Sequence, residues 1–125
     1  MPLIKRFEDI QAWQEARTLT KMVYAFTGKE VFGKDFGLKD QIRRAAISVM
    51  SNIAEGFDCD SDIGFARFFG FARRSAVEVQ SQLYTALDAN YITQADFDIL
   101  YEQARKAKAL VGGFKHSLLK KHAAK

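Results

Sequence analysis

Phe65, Phe69, Ala72, Ala76, Val79, Leu83 and Ala86 follow one another at steps of 4, 3, 4, 3, 4 and 3. An apolar residue at every third or fourth position lines one side of an α-helix and no side of a strand. The segment from Ser61 to about Asn90 is therefore expected to be a long helix with one continuous seam. At 1.5 Å per residue such a helix is about 40 Å long. Its stripe is stable in water only when other helices cover it.

Three further segments have matching stripes. Ile10, Trp13, Ala16, Leu19, Val23 and Phe26 predict a helix over 8–27. Leu38, Ile42, Ala45 and Val49, widened by Ala46, Met50 and Ile53, predict one over 37–56, with Gly56 as its C-terminal stop. Phe97, Leu100, Ala104, Ala107, Val111, Phe114 and Leu118 predict a last helix over 94–121. Thr93 and Asp96 stand at the positions of a capping box, and Ile92 and Phe97 at those of a hydrophobic staple. Ser61 is a suitable N-cap for the long helix, with Asp62 at the positive end of its dipole. Gly28 and Gly33 punctuate residues 28–35, which read as a loop. Gly112-Gly113 interrupts the last helix at a cost of about 1–2 kcal/mol relative to two alanines. The pair marks close helix approach, a bend or a tolerated weakness. No stretch alternates with period two, so no strand is expected. The fold class is all-α: one domain, residues 1–125, forming an antiparallel up-down-up-down four-helix bundle.

The 125 residues suffice for one core, and 48% hydrophobic with 27% charged residues is a globular balance. Cys59 is the sole cysteine, which excludes an internal disulfide framework and a multi-cysteine zinc site and fits a reducing cytoplasm. The N-terminus has no signal-like apolar run, and no apolar segment is long enough for a membrane span. Asp58, Asp60 and Asp62 start like a calcium loop, but Ile63 and Phe69 occupy its required Gly and Glu positions. His116 and His122 lack two-ligand spacing on a helix, and no Glu-x-x-His pair or Gly-rich phosphate loop is present. Cys59 has no partner that sequence can identify. No catalytic constellation emerges, so no enzyme activity, cofactor or metal is expected.

Net charge is +4, unevenly placed. Residues 1–90 hold 12 Lys and Arg against 12 Asp and Glu, whereas residues 91–125 hold 7 against 3. A basic end suits nucleic acid, and it equally suits the negative end of a helix dipole. Arg105, Lys108, Lys115 and His122 share a face of the last helix, extended by Lys120, Lys121 and Lys125. Arg43, Arg44, Arg73 and Arg74 form second patches. Beside the seams run two polar lines: Gln41, Arg44, Ser48, Asn52 and Glu55, then Arg67, Ser75, Glu78 and Gln82. These are solvated faces or interhelical pairs, such as Arg44 with Glu78. Asn52 continues a seam and so needs a hydrogen bond. Phe68 and Phe71 point away from the seam of Phe65 and Phe69; another subunit, or the 28–35 segment, is expected to cover them.

The run from Leu38 to Gly56, ending Asn52-Ile53-Ala54-Glu55-Gly56, resembles the signature of a bacterial four-helix-bundle family encoded in intervening sequences of 23S ribosomal RNA. The accessory variability determinant of diversity-generating retroelements is similar. Phe7-Glu8-Asp9-Ile10, Trp13 and Ala16 match the family's first helix; Ser61 to Phe69, Ala72, Ser75, Glu78, Gln82-Leu83 and Tyr91-Ile92 match its third and its exit. The chain departs at Thr27, where the family usually has the Pro of a Phe-Pro dipeptide, at Arg74, which replaces a Gly before Ser75, and at Gln80, which replaces a Glu. The resemblance implies a non-enzymatic homo-oligomer, a pentameric ring in members of known structure. Its retroelement members bind nucleic acid and a reverse transcriptase. The expected function is thus a self-associating bundle that binds RNA or DNA through basic patches. The alternative is a scaffold for a protein partner without nucleic-acid binding.

Overall fold

The computed structural model describes residues 4–123, with side chains described through Phe114. Among the described residues all regular structure is helical. A 3₁₀ turn at Phe7–Asp9 leads into α1 (Gln11–Thr27), then a short α2 (Glu30–Lys34), α3 (Phe36–Phe57), α4 (Asp62–Asp88) and α5 (Gln94–Ala123). α4 packs on both α3 and α5, and α1 closes the bundle by packing on the same two helices.

The periodic stripes are the core. Phe69, Ala72, Ala76, Val79, Leu83 and Ala86 of α4 are all fully buried, as are Ile42 and Val49 of α3 and Leu100, Ala104, Ala107 and Val111 of α5. One cluster gathers Leu19, Val23, Phe32, Ile42, Leu83 and Leu100. The other gathers Ile10, Ala16, Ile53, Phe69 and Val111. Each buried Leu, Ile or Phe contributes about 1.5–3 kcal/mol by leaving water. Phe65 and Phe114 add a ring stack with centroids 5.4 Å apart.

The caps follow their residue types. Ser61 Oγ accepts from Gly64 N at 3.0 Å. Asp96 N donates to Thr93 Oγ1 at 3.1 Å while Thr93 N donates to Asp96 Oδ2 at 3.2 Å, so the capping box closes with Asp. Ile92 and Phe97 are both buried beside it.

Four expectations need correction. The 28–35 segment contains α2, because Phe32 is 1% exposed and anchors one helical turn in the core. The first long helix starts at Gln11, since buried Ile10 is extended at φ −76°, ψ 120°. α4 ends at Asp88, and Asn90 takes the left-handed turn at φ 62°, a conformation Asn tolerates better than most residues. Gly56 does not stop α3, which continues through Phe57.

Gly56 has another role. A Cβ there would stand 2.9 Å from Phe68 Cβ, 3.2 Å from the Phe65 carbonyl oxygen and 3.3 Å from Phe69 Cδ1. Backbone and near-backbone atoms cannot swing aside, so Gly56 permits α3 and α4 to approach. Gly112 and Gly113 are unlike it: a Cβ on Gly112 meets only Arg73 Nε, at 3.9 Å, and one on Gly113 meets nothing within 4 Å. In urea unfolding, Gly56→Ala should lower stability by about 1–3 kcal/mol through overpacking. Gly112→Ala and Gly113→Ala should each raise it by about 0.5–1 kcal/mol through higher helix propensity.

Candidate nucleic-acid interface

The two polar lines meet between α3 and α4. Asn52 Nδ2 donates to the Ser48 carbonyl and to Ser48 Oγ, both at 2.9 Å. Ser75 Oγ donates to the same Ser48 Oγ at 2.8 Å. Asn52, Ser48 and Ser75 thus form one hydrogen-bonded chain across the helix pair, which removes the penalty of a polar group beside the seam. Next to it lies a groove of about 420 Å³ lined by Gln41, Arg44, Ala45, Ser48, Ser75, Glu78 and Gln82. Arg44 and Glu78 line it without forming an ion pair, and Gln82 Oε1 is buried with no hydrogen-bond partner among the described residues. Of the signature triplet, Gly56 lies against α4, Asn52 bonds within α3 to the Ser48 that Ser75 of α4 reaches, and Glu55 is exposed.

The two outward phenylalanines differ. Phe68 is half-buried against Gly56, and Phe71 is 39% exposed, with ring centroids 5.9 Å apart, edge to face. The 28–35 segment packs on α1 and α3, and Phe32 lies against Tyr91 at 5.2 Å. Phe32 joins the cluster of Leu83 and Ile92, apart from the one that holds Phe69.

The basic candidates divide by partner. Arg43 is half-buried; its Nε donates to Thr27 Oγ1 at 2.7 Å and its guanidinium lies 4.3 Å from the Tyr24 ring centroid. Buried Thr27 in turn donates to the Val23 carbonyl at 2.7 Å. Arg105 chelates Glu102 at 2.6 and 2.8 Å, and this contact holds the Glu102 carboxyl below its usual range. Arg44, Arg73 and Arg74 are exposed and form no ion pair among the described residues, with Arg74 over the Phe71 ring at 5.8 Å. Lys108 is half-buried. The side chains of Lys115, Lys120 and Lys121 lie outside the described residues. Arg105, Lys108 and Gly112 follow at steps of 3 and 4 on α5, and Arg73 of α4 lies beside Gly112. The structure therefore brings Arg73 onto the basic face of α5, which sequence spacing alone does not reveal.

Sequence reasoning also missed the tie between α1 and α5. Lys106 Nζ stands 3.0 Å from Glu15 Oε2, and Gln103 Nε2 donates to the Glu15 carbonyl at 2.9 Å. The Lys106 hydrogen bond holds the Glu15 carboxyl below its ordinary value of 4.5; burial opposes this, and Gln103 and the charge of Lys106 reinforce it. No short-range pattern flags residues 88 positions apart.

Among the described residues no three His, Cys, Asp or Glu side chains gather to hold a metal ion. No described helix is long and apolar enough to cross a membrane.

This all-helical bundle with its Asn52–Gly56 helix junction belongs to the 23S rRNA-intervening sequence protein family, whose model matches residues 8–113. A crystal structure of a protein of unknown function from the S23 ribosomal protein family of Bacteroides thetaiotaomicron has the same fold. Its TM-score is 0.73, covering 80% of this chain and 94% of that one at 21% identity. No curated protein matches the chain.

A carboxyl that binds its proton less tightly when folded stabilises the fold above its ordinary pKa. That contribution is lost as pH falls through the lowered folded value. Glu15→Gln should therefore reduce stability at pH 7 and flatten the decline below pH 4.5, as followed by urea unfolding across pH.

Proposed function

We propose that this chain is a non-enzymatic, cytoplasmic homo-oligomer that binds RNA or DNA through basic surface patches. Successive long helices joined by short connections pack on one another, which supports an antiparallel up-down-up-down bundle. The observation that carries the nucleic-acid reading is Arg73 beside Gly112, which joins the unpaired arginines of α4 to the basic face of α5. Arg73 and Lys108, which no described carboxylate pairs, attract phosphates, and self-association multiplies their field. The groove between α3 and α4 supports self-association. A second copy seated there would cover Phe71, which is otherwise exposed. The family resemblance makes a ring of five the expected assembly.

A scaffold for a protein partner is the second reading. It is favoured by Arg43 and Arg105, two of the basic candidates, being already bound within the chain.

Two measurements test these readings. Arg73→Glu with Arg74→Glu should weaken binding to structured RNA and DNA alike, because phosphate contacts carry no base information. The salt slope should fall by about 2, roughly 1 per cation lost. Absence of wild-type binding at about 50 mM salt, where electrostatic association is strong, would overturn the nucleic-acid reading in favour of the scaffold. Phe71→Ser, with Phe68 left in place to support Gly56, should lower particle mass in light scattering at unchanged helical circular dichroism. A wild-type monomer at micromolar concentration would overturn self-association.

A further inference from the structure

We infer that the corner where α1, α2 and α3 meet is a stacking platform for unpaired bases of single-stranded nucleic acid. This rests on the nucleic-acid reading above, but at a separate surface. Three cations there are seated on aromatic rings: Lys29 on Phe26 at 4.3 Å, Lys39 on Phe36 at 4.7 Å and Arg43 on Tyr24 at 4.3 Å. Three such pairs fall within residues 24–43, against two elsewhere among the described residues. The corner is contiguous. Arg43 Nε is bonded to Thr27 at the end of α1, and Lys39 Nζ donates to the Gly33 carbonyl of α2 at 3.1 Å.

Two of the three rings are open to solvent, Phe36 67% and Tyr24 42% exposed, whereas Phe26 is partly buried against the core. Covering a phenylalanine so exposed is favourable, and the face of a base is a surface that can do so. The corner keeps a small positive excess, Lys29, Lys34, Lys39 and Arg43 against Glu30, Asp35 and Asp40. Asp35 Oδ1 accepts from Leu38 N at 3.1 Å and its Oδ2 accepts from the Tyr91 hydroxyl at 2.9 Å. Glu30 and Asp40 form no ion pair with the three cations. Exposed Phe36 and Tyr24 with Lys29 and Lys39 beside them match a strand whose bases stack and whose phosphates alternate with them, while Arg43, bound to Thr27, holds the Tyr24 ring in place. A duplex hides its base faces, so the platform selects single strands.

Fluorescence anisotropy with oligo-dT of about 12 nucleotides, within the range one such surface spans, is the test. An abasic strand of equal length carries the same phosphates without bases. Wild-type protein should prefer oligo-dT, and Phe36→Ala should weaken oligo-dT binding by about 5-fold or more, the loss of one stacked base. Affinity for the abasic strand, the salt slope and helicity should stay unchanged. Equal binding of both strands, lost together in Arg73→Glu with Arg74→Glu, would overturn the platform and leave the α4–α5 strip standing. Oligo-dT binding unaffected by Phe36→Ala would also overturn it. Binding of neither strand at about 50 mM salt would overturn both readings, even if anionic vesicles were bound.

Discussion

The approach of α3 to α4 at Gly56 is the constraint on which the rest depends. With no Cβ there, Phe68 Cβ and the Phe65 carbonyl sit where any side chain would stand. That contact fixes how far apart the two helices run. It draws Phe68 inward and leaves Phe71 on the surface. Further along the pair, Ser75 reaches Ser48, and Asn52 completes the bond network. The groove of Gln41, Arg44, Glu78 and Gln82 lies beside it. A wider separation would break the serine contact, whose 2.8 Å length leaves no slack.

Charge on this protein serves two purposes. Arg43, Lys106 and Arg105 are held by partners within the chain. An exposed pair such as Arg105–Glu102 is screened by water and contributes little, and the Lys106–Glu15 pair also orients α1 on α5. Arg44, Arg73 and Arg74 have no such partner among the described residues. A cation left in water costs nothing to keep free, so these groups remain available to an external anion.

The departures from the family pattern acquire physical meaning. Thr27 stands where a Pro is usual, and its hydroxyl takes the Arg43 Nε, a contact proline cannot make. Arg74 replaces a small residue on an exposed turn of α4 and lies over Phe71, adding charge without disturbing the helix pair. Gln80 is 5% exposed, and an amide tolerates that burial better than the usual carboxylate would.

Local pattern determined the long helices, their buried stripes and their caps, because each depends on residues within a turn or two. Phe69 to Ala86, Ser61 and the Thr93–Asp96 box needed no knowledge of distant chain. The same local reasoning placed Arg43, Arg73 and Arg105 in one basic class and took Gly56 for a terminator. The tertiary structure separated them, because partner choice depends on residues far apart in sequence. Arg43 meets Thr27, Arg73 meets Gly112, Glu15 meets Lys106 and Gly56 meets Phe68. α2 was likewise decided in three dimensions: five residues cannot hold a helix alone, and Phe32 secures this one only by entering a core that α1, α3, α4 and α5 have built.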